Sequence, residues 1–291
     1  SGDIELQKKY FDRILQKYPN SDAAWYVSLY REISFPSSEK ISLDSFSTIP
    51  TKLDIPIVQQ SQKLASAGFE VQARKQLQKL IPTVKSDKKA TLYLAHQLIY
   101  AGDFTGAQKL ARPYCSWKNP DPIAIQACYP RPYSDIVESR LQDHSLPKNL
   151  PYAIMTAESG LKPWVTSPAS ARGLMQLMPK VGGTLHKEYF QAPYDAIDLY
   201  QGGYNAFLGT TELMRLYNIY SPSPLQYEQI PLPLVIAGYN AGSEAVNRWM
   251  SDFQDPPTAD TFGAFVGYTE TRKYVQRVLG YMMKYNWIYG N

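Results

Sequence analysis

The segment Glu158-Ser-Gly-Leu-Lys-Pro-Trp-Val-Thr-Ser-Pro-Ala-Ser-Ala-Arg-Gly-Leu-Met-Gln-Leu-Met-Pro179 combines residue types that core packing alone does not bring together. An apolar stripe precedes it at the i, i+3, i+4, i+7 spacing of a helix, formed by Leu150, Ala153, Ile154 and Ala157. Glycine is favoured just past the end of a helix because it adopts a left-handed conformation without steric cost. Gly160 therefore predicts that Glu158 lies in the last turn of that helix.

The predicted position of Glu158 suits a general acid. The negative end of the helix dipole and apolar neighbours both disfavour an ionised carboxyl. Both effects raise a carboxyl pKa toward neutral pH, as proton donation to a leaving group requires. The alternative from the residues alone is a solvated glutamate at a helix end, which is the commoner situation.

Four short motifs resemble those of the soluble lytic transglycosylase family and occur in the same order. The first includes Glu158-Ser159, Pro163, Ser167 and Gly173-Leu174-Met175-Gln176-Leu177-Met178-Pro179. The others are 205–213, with Glu212 where the family usually has an aromatic residue, Ala237-Gly238-Tyr239-Asn240-Ala241-Gly242, and Glu270-Thr271-Arg272-Lys273-Tyr274-Val275. The four matches lie in order within residues 150–280 and identify a catalytic region similar to that family's.

The resemblance and the apolar patterns together predict an all-α protein. Residues 1–128 are expected to form a helical-repeat domain, superhelical and similar to tetratricopeptide repeats, and 129–291 a lysozyme-like lytic transglycosylase catalytic domain. The proline-rich segment 129–135 marks the boundary because proline disfavours helix at the residue before it. The phrases 67–73 and 101–107 are alike and lie 34 residues apart, which is the tetratricopeptide period. The alternative is a generic helical packing domain without a ligand.

The resemblance also implies a role for each matched residue. Glu158 would be the catalytic acid and then the base. Tyr239 would hydrogen-bond Glu158 and contact substrate, Met175 would line the cleft floor, and Glu270 would accept a hydrogen bond from substrate or a neighbouring group. Further substrate-binding residues would be Ser167, Gln176 and Asn240. Tyr239 and Met175 could instead be ordinary core residues, and Glu270 an ordinary first-turn acid.

The implied reaction is non-hydrolytic cleavage of the MurNAc–GlcNAc β-1,4 bond in peptidoglycan, which leaves a 1,6-anhydroMurNAc end and needs no cofactor. One alternative is a muramidase, a hydrolase that needs a second carboxylate. Asp195 and Asp198 are the candidates for it in the sequence. Another alternative is a non-catalytic peptidoglycan-binding scaffold in which residues 1–128 are the functional part.

Composition favours a globular protein of the cell envelope. The chain has 44% hydrophobic residues and a net charge of +4, which is too mild for a nucleic-acid-binding protein. No apolar run approaches the ~20 residues of a transmembrane helix. The opening Ser1-Gly2 resembles residues left by cloning, so we expect a periplasmic protein whose export signal was removed. Expected partners are glycan strands and, through residues 1–128, a cell-wall protein or a second copy.

The two cysteines, Cys115 and Cys128, leave two readings open. A single disulfide is compatible with an oxidising compartment, and two unpaired thiols are the alternative. With only these cysteines and the scattered His96, His144 and His186, the sequence offers no metal-ligand spacing. No metal site is predicted.

Overall fold

The computed structural model describes Asp12, Gln16 and residues 49–117, 120–221, 231–252 and 266–290. The regular elements in these ranges are helices and none is a strand, although isolated bridges join Thr166 to Arg172 and Arg172 to Leu177. The helices predicted before residue 49 lie outside the described residues, except that Asp12 and Gln16 are helical.

The described residues divide into two compact units. The repeat unit contains residues 49–132 together with Lys284–Gly290, and the Glu158 unit contains Tyr133–Met283. The domain boundary was expected after residue 128, and the structure divides the chain after Pro132. The last residues of the chain were expected to belong to the catalytic domain, whereas Lys284–Gly290 pack within the repeat unit.

The repeat unit is built from short helices with aspartate caps. Asp54, Asp87, Asp103 and Asp121 each accept a hydrogen bond from a backbone N–H group in the first turn of the helix that follows. Such caps satisfy N–H groups that have no partner within the helix. The helices are α1 (Ile55–Ser66), α2 (Glu70–Lys79), α3 (Ile81–Val84), α4 (Lys88–Tyr100), α5 (Phe104–Ala111) and α6 (Pro122–Cys128), with a 3-10 turn at Arg112–Tyr114.

The turns after α1 and α4 have the same geometry at positions 34 residues apart. Gly68 (φ 82°) and Gly102 (φ 73°) both adopt the left-handed region that glycine tolerates best. The amide after each glycine donates to a leucine carbonyl five residues earlier, Leu64 in one turn (2.8 Å) and Leu98 in the other (2.7 Å). The similarity of the two sequence phrases is therefore also a similarity of backbone structure.

A disulfide and the chain's C-terminal end complete the repeat unit. Cys115 is bonded to Cys128, which decides between the two readings of the cysteines. The Tyr285 hydroxyl donates to the Pro130 carbonyl (3.0 Å), and the Tyr289 hydroxyl donates to the Tyr129 carbonyl (2.8 Å). These bonds attach the end of the last helix to the segment that precedes residue 133.

In the Glu158 unit, the other helices pack around one helix that is buried on most sides. The helices of this unit are α7 (Ser134–Leu141), α8 (Leu150–Ser159), α9 (Pro179–Tyr189), α10 (Gly202–Tyr220), α11 (Pro231–Ala241), α12 (Ser243–Ser251) and the part of α13 (Thr269–Tyr289) up to Met283, with a 3-10 helix at Ala196–Tyr200. In α8, Leu150, Tyr152, Ile154 and Met155 are all fully buried. The predicted single apolar stripe thus underestimates the burial of α8, which is a central helix of this unit.

Candidate active site

Glu158 lies in the last turn of α8, as its spacing from Gly160 predicts. Gly160 has a left-handed conformation (φ 58°), and its amide donates to the Thr156 carbonyl (3.2 Å). A left-handed glycine at this position ends the helix and turns the chain away from its axis. Glu158 is consequently held by a rigid, buried helix, while its side chain stays partly accessible.

Tyr274 is the hydrogen-bond partner of the Glu158 carboxyl. Its hydroxyl donates to Glu158 Oε1 at 2.5 Å, and its side chain is only 2% exposed. The pKa of Tyr274 is raised well above 10.0, mainly by burial and by the charge of Glu158. Tyr274 therefore remains a protonated hydrogen-bond donor at neutral pH.

The surroundings of Glu158 raise the pKa of its carboxyl. Burial is the largest cause, and the charge of Glu270 acts in the same direction. The hydrogen bond from Tyr274 and the charge of Arg277 lower it. The direction agrees with the sequence argument, in which desolvation was one of the two physical reasons. Opposing influences on one carboxyl suit a group that must both release and accept a proton.

Tyr239 does not donate to Glu158, so that part of the prediction is wrong. Its hydroxyl donates to the Met175 backbone carbonyl at 2.8 Å, and a phenol has only one hydrogen to give. Burial and the charges of Glu158 and Glu212 raise the pKa of Tyr239 well above 10.0, so both carboxyls lie near Tyr239. The hydrogen-bond donor to Glu158 is Tyr274. It lies in the last motif, but no role was predicted for it from the sequence.

Met175 is fully buried, so the prediction that it lines the cleft floor is also wrong. Its side chain packs so closely on Gly209 that a Cβ atom added there would overlap the Met175 side chain. Apolar core packing of this kind was the alternative reading of Met175. The residue contributes to the site through its backbone, because its carbonyl accepts the Tyr239 hydroxyl.

Asn205 fixes the loop that follows α8, a role that sequence reasoning missed. Its side chain is fully buried; Oδ1 accepts from the Met175 amide (2.7 Å), and Nδ2 donates to the carbonyls of Arg172 (3.0 Å) and Leu199 (2.8 Å). Gly173 (φ 82°) lies so close to this group that a Cβ atom would overlap the Leu199 carbonyl and the Asn205 amide. The signal was present in the sequence, since Asn205 opens the weaker second motif.

Gln176 and Ser167 form hydrogen bonds within the same loop. Gln176 has a left-handed conformation (φ 51°), and its Nε2 donates to the carbonyls of Val165 (3.1 Å) and Gly173 (2.8 Å). Ser167 closes a turn, because its Oγ accepts from the Ala171 amide at 3.1 Å. Both side chains are only partly buried. Substrate binding by either residue remains a prediction.

Asn240 and Glu270 are exposed. Asn240 Oδ1 accepts a hydrogen bond from Thr271 Oγ1 (2.7 Å), which links the third motif, 237–242, to the last one. Glu270 lies in the first turn of α13 and is near enough for its charge to act on Glu158. Their predicted roles in substrate binding are compatible with these positions and stay predictions.

Asp195 and Asp198, the sequence candidates for a second carboxylate, form local hydrogen bonds. Asp195 Oδ1 accepts from the Ile197 amide (2.9 Å), and Asp198 Oδ1 accepts from Gln201 Nε2 (2.7 Å). Neither is a cause of the raised pKa of Glu158, whereas Glu270 is. Across the part of the chain that the structure describes, no group of three or more His, Cys, Asp or Glu side chains could hold a metal ion.

An open cavity of about 500 Å³ adjoins Tyr239. Its described lining residues are Gln176, Leu177, Met178, Val181, Glu212, Gly238, Tyr239, Asn240, Ala241, Gly242, Ser243, Glu244, Ala245 and Arg248. Gln176, Tyr239 and Asn240 are among the predicted substrate-binding residues. Glu158 is not part of this lining, but Tyr239 lines the cavity and lies near enough to Glu158 for the charge of that carboxyl to raise its pKa.

The family model described as Transglycosylase SLT domain matches residues 135–262. A Haemophilus influenzae protein, provisionally named as a soluble lytic murein transglycosylase, is 36% identical over 157 residues, which are 54% of this chain and 25% of that protein. The soluble lytic murein transglycosylase of Escherichia coli K12 is 28% identical over 168 residues, 57% of this chain and 25% of that protein. The aligned part is thus about a quarter of the length of these relatives.

The crystal structure of the 70 kDa soluble lytic transglycosylase from Escherichia coli has a similar fold. It aligns with a TM-score of 0.68 and 22% identity, covering 100% of this chain and 44% of that chain. The prediction of an all-α protein with a helical-repeat domain before a lysozyme-like domain is confirmed. Within the described ranges of this chain, no helix is both long and apolar enough to span a membrane.

Proposed function

We propose that this chain is a peptidoglycan lytic transglycosylase that cleaves the MurNAc–GlcNAc β-1,4 bond without water, because residues 135–262 match the family model described as Transglycosylase SLT domain. The main support for the proposal is the environment of the Glu158 carboxyl. Its carboxyl has a raised pKa and accepts a short hydrogen bond from Tyr274 on α13. One carboxyl in such surroundings can act as an acid in one step and as a base in the next.

In the first step of the proposed reaction, Glu158 donates its proton to the glycosidic oxygen as the bond from C1 of MurNAc to that oxygen breaks. GlcNAc leaves with a free 4-hydroxyl group, and positive charge develops at C1. Glu158 is now a carboxylate, and the hydrogen bond from Tyr274 stabilises it. Arg277 contributes a favourable charge.

In the second step, the C6 hydroxyl of the same MurNAc ring attacks C1, and Glu158 takes the hydroxyl proton. The product is the 1,6-anhydro sugar, and Glu158 returns to its protonated form. The attacking group belongs to the substrate, so its effective concentration is high and the enzyme need not supply a nucleophile. Burial of Glu158 favours this return because it disfavours the ionised carboxyl.

We also propose where the enzyme acts, which surface binds the glycan and what the repeat unit does. The chain would act in the periplasm on glycan strands bound along the loop of residues 163–179 and the cavity beside Tyr239. Ser167, Gln176, Asn240 and Glu270 would contact the sugars. The repeat unit would bring a cell-wall protein or a second copy to the enzyme.

The test is digestion of purified sacculi in water enriched in heavy oxygen, with the products identified by mass spectrometry. We expect unlabelled anhydromuropeptides from the native chain and none from Glu158→Gln. Glu138→Gln is the matched control, since Glu138 is exposed on α7 and is not part of the site. It should give the native products at the native rate.

Labelled reducing ends would show hydrolysis and would favour the muramidase alternative. Glu270, rather than Asp195 or Asp198, would then be the carboxylate to replace, because its charge acts on Glu158. Equal product from the native chain and Glu158→Gln would remove Glu158 as the acid. Sacculi left intact by the native chain would contradict the enzymatic proposal.

A further inference from the structure

Glu212 lines the Tyr239 cavity and has a buried carboxyl oxygen without a hydrogen-bond partner among the described residues. It lies on α10, and the buried atom is Oε2. Nearly all buried polar atoms in native proteins have a partner, so one without a partner needs an explanation. Proton transfer at Glu158 does not use Glu212 in the mechanism above.

The charges in the cavity favour a positively charged ligand. Its charged lining residues among those described are Glu212, Glu244 and Arg248, so two carboxylates against one guanidinium give a formal charge of −1. The other polar lining residues among those described are Gln176, Tyr239, Asn240 and Ser243. At about 500 Å³, the space is large enough for a sugar ring or an amino-acid side chain with its backbone.

We propose that Glu212 determines the ligand preference of this cavity by pairing with a primary ammonium group. The proposal rests on the proposed function in one respect, because peptidoglycan would supply the ammonium group, either from a diamino acid of its peptides or from a sugar that lacks its N-acetyl group. It names a substituent of the substrate and a residue that recognises it.

The electrostatics around Glu212 agree with this role. Burial raises the pKa of Glu212, and the charge of Glu188 on α9 adds to the effect, while Arg215 on α10 lowers it. The ionised carboxyl is thus poorly compensated when the cavity holds no ligand. An ammonium group in the cavity would place an opposite charge beside the Glu212 carboxyl, and charge-assisted hydrogen bonds to a carboxylate are stronger than neutral ones.

The experiment compares two peptides that differ only in the acetylation of one amine, which removes its positive charge and adds an acetyl group. Each is a tripeptide with blocked ends and a central lysine, and in one of them the lysine amine is acetylated. Calorimetric titration of the full chain at low salt should give affinity about tenfold higher for the free amine. The glucosamine trisaccharide and its N-acetylated form are a second pair, which distinguishes a sugar amine from a peptide amine.

Glu212→Gln should reduce the preference for the free amine to about twofold or less, since the amide keeps the shape and loses the charge. Glu138→Gln should keep the tenfold preference. Thermal unfolding of both variants checks that they are folded, and the native comparison of the probes does not depend on any variant.

Native protein that binds both members of each pair equally, or binds none of them, would overturn the role of Glu212. So would an unchanged preference in Glu212→Gln. Binding is measured without cleavage, so the two proposals fail separately. Digestion of sacculi without an amine preference would leave the lytic activity standing, and an amine preference without digestion would leave the Glu212 role standing.

Discussion

Replacement of Tyr274 by phenylalanine tests whether the Tyr274 hydroxyl is the hydrogen-bond donor that stabilises ionised Glu158. The change removes one hydroxyl and leaves the buried ring in place, so the fold should be kept. Without the donor at 2.5 Å, the ionised form of Glu158 is less stable and the pKa of its carboxyl rises further. Glu158 then keeps its proton up to a higher pH. The carboxylate that forms during bond cleavage also loses a stabilising contact.

The size of the effect follows from the nature of the bond. A hydrogen bond to a charged group contributes about 1.5–3 kcal/mol to the stability of the charged form. Because Glu158 is partly accessible and water can replace some of this, we use the lower end of the range. About 1.4 kcal/mol corresponds to a factor of ten, so kcat should fall about tenfold in Tyr274→Phe.

The assay is the initial rate of anhydromuropeptide release as a function of pH. In Tyr274→Phe, the limb of kcat/KM that reports proton loss from Glu158 should move to higher pH, and the maximum should be lower. Tyr100→Phe is the control, because the Tyr100 hydroxyl contacts Ser66 in the repeat unit and should leave the profile unchanged. A limb that stays in place or moves to lower pH in Tyr274→Phe would refute the assignment.

Three further predictions concern stability. Glu158→Gln should be more stable than the native chain at neutral pH, because a carboxyl whose folded-state pKa is raised contributes stability at low pH and loses it as pH rises through the folded value; the difference in denaturant unfolding should vanish below about pH 4, where Glu158 is protonated in both states. Asn205→Ala should lower the free energy of unfolding by about 3 kcal/mol through the loss of three buried hydrogen bonds, and an unchanged melting temperature would contradict this. Replacing Cys115 and Cys128 by serine should destabilise the repeat unit by about 3 kcal/mol, given their separation of 13 residues, and calorimetry of native and variant chains should show it.

The elements that sequence predicted best are those set by local rules. Helical spacing and a glycine at the right distance placed Glu158 in the last turn of α8, and the similarity of two phrases predicted the like turns at Gly68 and Gly102. Such features depend on a few neighbouring residues and on backbone conformation. The burial of α8 on most sides was underestimated because it depends on helices distant in sequence, such as α10.

The hydrogen-bond partners within the site were the part that sequence could not supply. Tyr239 and Tyr274 both lie in motifs, and nothing in their spacing from Glu158 shows which hydroxyl reaches it. The structure decides because Tyr239 donates to the Met175 carbonyl and so has no hydrogen left for Glu158. Met175 shows the same difficulty in another form, since a methionine in a core and one in a cleft look alike in sequence.

The position of the last motif in α13 explains why its acidic and tyrosine residues are spaced as they are. Glu270, Tyr274 and Arg277 are spaced at i, i+4 and i+7, so they share one face of the helix, and all three act on the pKa of Glu158. Glu270 and burial favour the protonated carboxyl, while Tyr274 and Arg277 favour the ionised one. Burial alone would keep Glu158 neutral and a donor alone would keep it charged, and a carboxyl that alternates between acid and base needs both influences. A single helix face supplies the charged and hydrogen-bonding groups that set this balance, so a change at any of its three positions should alter the pH dependence of the reaction before it alters the fold.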